Sequence, residues 1–191
     1  MTADLIRTEL ERAAGTLAAL AADTVALAAV ERAAALCVEA IRAGGKLLLA
    51  GNGGSAADSQ HIAAELVGRL GAERRALPAV ALTTDTSILT AVGNDYGHER
   101  IFSRQIEALG RAGDVFVAIS TSGRSANILQ ALDVARERGL VCIGLTGAEG
   151  GALRSRCDCV IQVPARDTQH IQEGHIAVGH ALCLAVEREL A

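Results

Sequence analysis

The stretch Lys46-Leu47-Leu48-Leu49-Ala50-Gly51-Asn52-Gly53-Gly54-Ser55 decides the fold of this 191-residue chain. A short apolar run that ends in a glycine-rich turn is typical of a buried parallel strand leading into a helix. Short apolar runs of this kind, each followed by a turn, recur downstream. Further strands are predicted at Ala79 to Leu82, Val115 to Ile119, Val141 to Leu145 and Val160 to Val163, with helical segments from Ser55, Thr86, Ser125 and Gly150 onward between them.

Helical spacing of apolar residues marks both ends of the chain. Residues 1–43 are predicted to form two helices, with a break near Ala22 and with Asp23 or Thr24 capping the second. The segment from Thr168 to Leu190 is predicted to close the chain as a helix. Strands that alternate with helices predict a three-layer α/β/α fold with a five-stranded parallel sheet in flavodoxin-like order.

The chain length suits one domain over residues 1–191. Within it, residues 44–191 are predicted to form the α/β core and the C-terminal helix. The helical pair of residues 1–43 carries more apolar surface than one sheet face can cover, and we therefore expect it to be used in oligomerisation.

Composition excludes several classes of partner. A net charge of -4 and an aromatic content of 2% argue against nucleic acid as the ligand. No apolar run approaches the roughly 20 residues of a membrane span, and the N-terminus lacks the pattern of a signal peptide, so we expect a cytoplasmic protein.

The five cysteines fit reduced thiols. Cys157 and Cys159 resemble half a metal site, but we interpret them as packing residues.

Two loops that follow predicted strands are rich in glycine and hydroxyl side chains. Ligands of open α/β sheets bind beyond the carboxyl ends of the strands, where Gly51 to Ser55 and Ser120 to Ser125 fall. Glycine alone serves a tight turn equally well. The second loop, however, has more hydroxyls than a helix cap needs, and the cationic Arg124 favours an anion there. We predict that Ser120, Thr121, Ser122 and Ser125 bind phosphate; the alternative is a cap at Ser125 with solvated hydroxyls.

Histidine and carboxylate side chains at helical spacing form a second candidate constellation. His61 and Glu65 lie one turn apart on one predicted helix face. On the last helix, His180 lies about 80° around the axis from Gln172 but about 140° from His175, so Gln172 and His180 can share a site. Such groups suit zinc or proton transfer, and a surface hydrogen bond is the simpler alternative for His61 and Glu65. The remaining histidines are interpreted as surface or packing residues: His98, His170 and His175.

Several motifs in order resemble the phosphoheptose isomerases, members of the sugar isomerase (SIS) family. The resemblance covers nearly the whole chain. Its motifs are Leu49 to Glu65, Thr83 to Ser87, Val92 to Gly97, Ile101 to Gln105, Ile119 to Gly123, and Ile171 to His175 before His180.

The resemblance implies an aldose-ketose isomerase that converts sedoheptulose 7-phosphate to D-glycero-D-manno-heptose 7-phosphate through an enediol, the first step toward nucleotide-activated heptose. It also implies a homotetramer with one zinc ion per subunit and sites near the subunit interfaces. Carried over by motif, the zinc ligands are His61, Glu65, Gln172 and His180, and Glu65 and His180 are the acid-base candidates. Contacts to the sugar phosphate fall on Asn52, Gly53, Gly54, Glu65, Asn94, Asp95, Ser120, Thr121, Ser122, Ser125 and Gln172.

Two alternatives stay open. One is a non-catalytic SIS protein that binds sugar phosphates or associates with a replication initiator. The complete set His61, Glu65, Gln172 and His180 speaks against it. The other is a different SIS enzyme, such as an arabinose 5-phosphate or amino-sugar phosphate isomerase.

Overall fold

Short apolar runs between glycine-rich turns form the strands of this chain. A computed structural model describes residues 2–191, and the bounds below refer to that range. The strands are β1 Leu47–Ala50, β2 Ala79–Ala81, β3 Val115–Ile119, β4 Val141–Thr146 and β5 Cys159–Gln162. The helices are α1 Thr2–Ala22, α2 Thr24–Arg42, α3 Gly54–Val67, α4 Thr86–Tyr96, α5 Ser103–Leu109, α6 Ala126–Glu137 and α7 Thr168–Leu190, with short 3-10 helices at His98–Arg100 and Gly151–Ser155.

All strand pairings are parallel, and the strand order is β2-β1-β3-β4-β5. The prediction of a five-stranded parallel sheet in flavodoxin-like order is confirmed. Every residue of β1 and β3 is buried, which explains why these strands are apolar throughout rather than alternating. Helices therefore cover both faces of the sheet.

Successive side chains of each strand point into two different layers. Leu47 and Leu49 of β1 pack with α2, α3 and α7 on one face. Leu48 packs with Phe116 of β3 and with α5 and α6 on the other face. The two faces thus form separate apolar cores, and the helices that carry the histidine candidates, α3 and α7, lie on the same face.

The strand order creates the opening that positions the site. From β1 the chain crosses through α3 to β2 on one side, whereas β3 pairs with β1 on the other side. The loops after β1 and β3 consequently diverge above neighbouring strand ends, which is where ligands bind in open α/β sheets.

The N-terminal helices meet at Asp23, as predicted. Its side chain accepts hydrogen bonds from the backbone N–H groups of Val25 (2.9 Å) and Ala26 (3.1 Å), so it caps α2. No single helix within residues 2–191 is long and apolar enough to cross a membrane. Only α1 and α2 taken together reach that length and hydropathy, and they are bent by 73°.

Candidate active site

A pair of asparagines ties the two glycine- and serine-rich loops together. The side-chain amide of Asn52, after β1, donates to the Asn127 side-chain oxygen at 2.9 Å, and Asn127 donates back at 2.8 Å. Asn127 lies in the first turn of α6 and is buried. The two loops therefore form one continuous surface at the carboxyl end of the sheet.

In the hydroxyl-rich loop after β3, the Ser120 and Ser125 hydroxyls contact each other and do not cap α6. Ser120 is 3% exposed, and its hydroxyl lies 3.0 Å from that of Ser125. Ser125 is the N-cap residue of α6, but its side chain makes no capping hydrogen bond. The alternative of a plain cap at Ser125 therefore lacks its main contact, and the N–H groups of the first turn of α6 remain available to an anion.

Gly123 gives this loop its shape. Its φ is +64°, and a Cβ atom there would lie 2.3 Å from the backbone oxygen of Gly150. Any other residue would displace the loop that follows β4. Arg124 behaves differently from the prediction, because its guanidinium donates to the Glu149 carboxylate at 2.8 Å on the surface. Its charge is thus partnered by an acid rather than held for an anion.

Gly54 and Gln172 connect the first loop to the C-terminal helix. A Cβ atom on Gly54 would lie 2.6 Å from the side-chain nitrogen of Gln172, so a larger residue would push the Gln172 amide out of this position. The half-buried Gln172 thus lies against the start of α3, which has no side-chain cap. Since Gln172 precedes His180 by eight residues, about 12 Å along the helix, it stands at the loop end of the site.

His61, Glu65 and His180 converge between α3 and α7. The Nε2 atom of His61 lies 3.1 Å from Oε1 of Glu65 and 3.2 Å from Nε2 of His180. The His180 Nε2 atom lies 3.5 Å from the same carboxylate oxygen. Both histidines are about half exposed, while the Glu65 side chain is 12% exposed. Groups from helices far apart in sequence therefore share one small, partly open site.

The cluster fits a zinc ion by donor type and by spacing. Zinc binds imidazole nitrogen and carboxylate oxygen at about 2.0–2.2 Å, which places the ligand atoms of a tetrahedral site about 3.3–3.5 Å apart. The triangle of His61, Glu65 and His180 has sides of 3.1, 3.2 and 3.5 Å. Within residues 2–191, this is the one group of three or more His, Cys, Asp or Glu side chains that can hold a metal ion.

Asn94 and Asp95 lie apart from these loops in the single chain. Both are exposed near the end of α4, where Asn94 donates to the Asp95 carboxylate at 2.7 Å. Within residues 2–191, no hydrogen bond joins either side chain to the loops after β1 and β3. The sequence prediction that they contact the sugar phosphate stays a prediction.

Cavities flank the cluster and the loop. One of about 150 Å³ is bounded by Thr121 and Ser122 and by Ile171, which precedes Gln172. A shallower one of about 220 Å³ is bounded by His61 and Glu65. The first has room for a phosphate-sized group, and the second leaves the cluster open to a small molecule.

Sequence reasoning missed three side chains that border the cluster or the loops. The first is Asn127, which could have been found from its position in the first turn of the helix after the hydroxyl-rich loop.

The second is Asp58, which lies one turn before His61 and whose pKa is raised by burial. The third is Cys183. Burial is the main cause that raises the pKa of its thiol and the negative charge of Glu65 is the second, so a neutral thiol lies beside the carboxylate.

The other histidines and Cys159 lie outside the cluster. His175 is fully buried, and burial lowers its pKa to about 4, so it stays neutral. The Cys159 thiol is buried and donates to the Ala29 backbone oxygen at 3.2 Å. His170 is buried and lies beside Glu173, whereas His98 is exposed.

Comparisons with known proteins show the family of the chain. The family model described as SIS domain matches residues 11–147. The chain therefore belongs to the SIS domain family. Among curated relatives, the phosphoheptose isomerase of Burkholderia pseudomallei (strain 1710b) is 54% identical over 185 residues, which cover 97% of this chain and 94% of the relative. At that identity and coverage, the chain belongs to the phosphoheptose isomerases within the SIS family.

Solved structures extend the likeness to three dimensions. The phosphoheptose isomerase GmhA from Neisseria gonorrhoeae matches with a TM-score of 0.92 at 42% identity, over 98% of this chain and 100% of the other. A phosphoheptose isomerase from Francisella tularensis matches with a TM-score of 0.94 at 37% identity, over 98% of this chain and 99% of the other.

Proposed function

We propose that this protein isomerises sedoheptulose 7-phosphate to D-glycero-D-manno-heptose 7-phosphate. The observation that carries the proposal is the convergence of His61, Glu65 and His180 between α3 and α7, in a chain of the phosphoheptose isomerase family whose α3 follows the first glycine-rich loop. The reaction moves a carbonyl from C2 to C1, so it needs a phosphate anchor and groups that exchange protons. The site offers both.

The phosphate is held by the loop after β3. The hydroxyls of Ser120, Thr121, Ser122 and Ser125 donate to its oxygens together with N–H groups at the start of α6. Asn52, Gly53 and Gly54 line the neighbouring loop and face the sugar chain, and Gln172 lies against Gly54. We extend the substrate contacts to Asn94 and Asp95 on the family resemblance alone.

Removing a hydroxyl from this loop should weaken substrate binding. We expect Ser120→Ala or Ser122→Ala to lower affinity by about ten- to a hundredfold, because a hydrogen bond to a charged group contributes roughly 1.5–3 kcal/mol. Calorimetry with sedoheptulose 7-phosphate measures this when all variants are compared in the same Glu65→Gln background, in which turnover is slow. Ser155→Ala, which removes an exposed hydroxyl outside the loop, is the control. Equal affinities for all variants would count decisively against the loop as the anchor.

His61, Glu65 and His180 would hold a zinc ion, and on the family resemblance alone we propose Gln172, whose amide lies against Gly54, as the fourth ligand. When bound, zinc supplies Lewis acidity that polarises substrate oxygens and stabilises their negative charge. The position of the metal, and so of the stabilised negative charge, is fixed by α3, which contributes two of the ligands, and by α7, which contributes the other two.

Proton transfer is assigned to Glu65 and His180. One of these side chains removes a proton from C1 of the open-chain ketose, and a proton is then delivered to C2 of the enediol. Their polar atoms lie 3.5 Å apart, so both side chains meet at one site; the same atoms are the proposed zinc ligands, so metal binding and proton transfer compete for them. The partial burial of Glu65 limits competition from bulk water.

A non-catalytic sugar-phosphate-binding protein is the alternative function. It requires the phosphate loop but not the cluster of His61, Glu65 and His180. Incubation of the purified protein with sedoheptulose 7-phosphate, followed by NMR, separates the two. Formation of heptose 7-phosphate supports the enzyme, whereas binding without any product would establish the alternative.

We also propose that the protein is a homotetramer with its sites near the subunit interfaces and that residues 1–43 take part in assembly. Leu5, Ile6 and Leu10 of α1 are between 56% and 67% exposed, which is unusual for large apolar side chains on one helix. An apolar groove of about 600 Å³ also runs between α2 and α7. Burial of these surfaces between copies would remove them from water.

Light scattering should give the mass of four chains at micromolar concentration. We expect Leu10→Glu to lower this mass, because a charge would be buried at an apolar contact. Glu11→Gln, next to it on α1, should leave the mass unchanged. A wild-type monomer would rule out the assembly.

A further inference from the structure

A buried ion pair behind the cluster joins α3 to α7. Arg74 and Glu187 are each 2% exposed in their side chains, and the Arg74 Nε atom donates to the Glu187 carboxylate at 3.1 Å. Arg74 lies in the segment that follows α3, and Glu187 lies on α7. The pair thus spans the two helices that carry His61, Glu65 and His180.

Arg74 fixes the end of α3. Its guanidinium donates to the backbone oxygens of Leu66 at 2.9 Å and Gly68 at 3.2 Å, which have no helical partner at a helix C-terminus. It also donates to the backbone oxygen of Glu65 at 2.8 Å. One side chain therefore holds the backbone of the cluster residue Glu65 and the turn that follows it.

Glu187 fixes the same turn to α7. Both of its carboxylate oxygens are used: the backbone N–H groups of Leu70, Gly71 and Ala72 donate to it at 3.0, 3.0 and 2.7 Å. These N–H groups, with Ala72 first, and Arg74 hold the pKa of Glu187 down at about 2, so it stays ionised. Glu187 follows His180 by two turns and lies only about 20° from it around the helix axis.

We infer that Arg74 and Glu187 are positioning residues that set the distance between the two halves of the cluster, Glu65 with His61 on α3 and His180 on α7. A buried ion pair adds little stability compared with apolar packing, so its directional contacts are the property that apolar residues would not supply. Ligand atoms 3.1–3.5 Å apart demand such precision, because sites tolerate displacements of only about 0.5 Å. This inference rests on the metal and acid-base roles proposed above.

Zinc affinity of the substrate-free protein tests the inference independently of isomerase activity. We expect Arg74→Lys, which keeps the charge but loses the forked contacts, to weaken zinc binding by about ten- to a hundredfold. Glu187→Gln should act likewise, because its amide would face N–H donors whichever way it turned. The visible spectrum of the cobalt-substituted protein should change in both variants, and kcat should fall more than KM rises.

Asp114→Asn is the matched control. Asp114 is also a buried carboxylate, which accepts from the backbone N–H groups of Lys46 and Arg111 at 2.9 Å each and from the Lys46 ammonium at 2.5 Å. It lies before β3, and none of these hydrogen bonds reaches α3 or α7. We expect it to destabilise the fold comparably while leaving zinc affinity and the cobalt spectrum unchanged.

Three outcomes would overturn the inference. They are wild-type zinc affinity and cobalt spectrum in Arg74→Lys and Glu187→Gln, an equal loss in Asp114→Asn, or failure of both variants to fold where the control folds. The last would make the pair a requirement of the fold. A wild-type protein that binds zinc but does not isomerise the substrate would refute the proposed function and leave the positioning role standing. A wild-type protein without zinc affinity would refute the metal site itself.

Discussion

Replacement of Glu65 by Gln is expected to lower turnover at least about a hundredfold while the fold stays intact. The substitution keeps the shape of the side chain and removes the carboxylate that lies 3.1 Å from His61 and 3.5 Å from His180. A neutral amide can neither accept the C1 proton nor offer zinc an anionic oxygen. Steady-state rates, zinc content and far-ultraviolet circular dichroism should be measured on the same sample.

Glu73→Gln is the matched control for this change. Glu73 likewise pairs with a side chain one turn away, that of Arg69, at 2.6 Å, but it is exposed and lies outside the cluster. We expect its rate to equal that of the wild type. The zinc content of Glu65→Gln distinguishes a zinc ligand from a catalytic base. Loss of a ligand lowers the zinc content, whereas loss of a base that does not bind zinc leaves it unchanged. A near wild-type rate in Glu65→Gln would mean that Glu65 is neither an essential ligand nor the base.

Removal of the metal should have an effect of similar size. Lewis-acid stabilisation of substrate oxygens is worth several kcal/mol, so the metal-free protein should lose at least about a hundredfold in turnover. Dialysis against a strong chelator, followed by addition of zinc, should abolish and then restore the rate. His98→Gln, which changes an exposed histidine outside the cluster, should retain its zinc, whereas His180→Gln should lose it. Full activity in protein shown to contain no metal would refute the zinc proposal.

The fold was largely predictable because its strands have simple physical signatures. Parallel strands covered on both faces must be continuously apolar, and glycine-rich turns bound them, so β1 and β3 were found nearly to the residue. The helix α5 was not predicted. It spans only seven residues, Ser103–Leu109, which is too short for helical periodicity to stand out.

The cluster was predictable only in part. His61 and Glu65 form a local pattern one turn apart, and helix phase separates His180 from His175. In the structure His175 is fully buried and His180 is exposed beside His61. The approach of α7 to α3 depends on packing, and no local spacing encodes it, so the family resemblance was needed to bring His180 to this site.

The positioning pair lay beyond local reasoning altogether. Arg74 and Glu187 are 113 residues apart, and most partners of Glu187 are backbone N–H groups, which every residue except proline provides. Their contacts become evident only in the structure, where the turn after α3 packs against α7. The Asn52 and Asn127 pair is similar, because its two members are 75 residues apart.

The most direct test of this account follows hydrogen at C2 of the product. Purified protein is incubated with sedoheptulose 7-phosphate in heavy water, and the heptose 7-phosphate is analysed by proton NMR. If side chains of the cluster remove a proton from C1 and the enediol is protonated at C2, the product will carry deuterium at C2, and Glu65→Gln will form it at least about a hundredfold more slowly. Absence of the product, or a product that keeps protium at C2 throughout, would contradict the account.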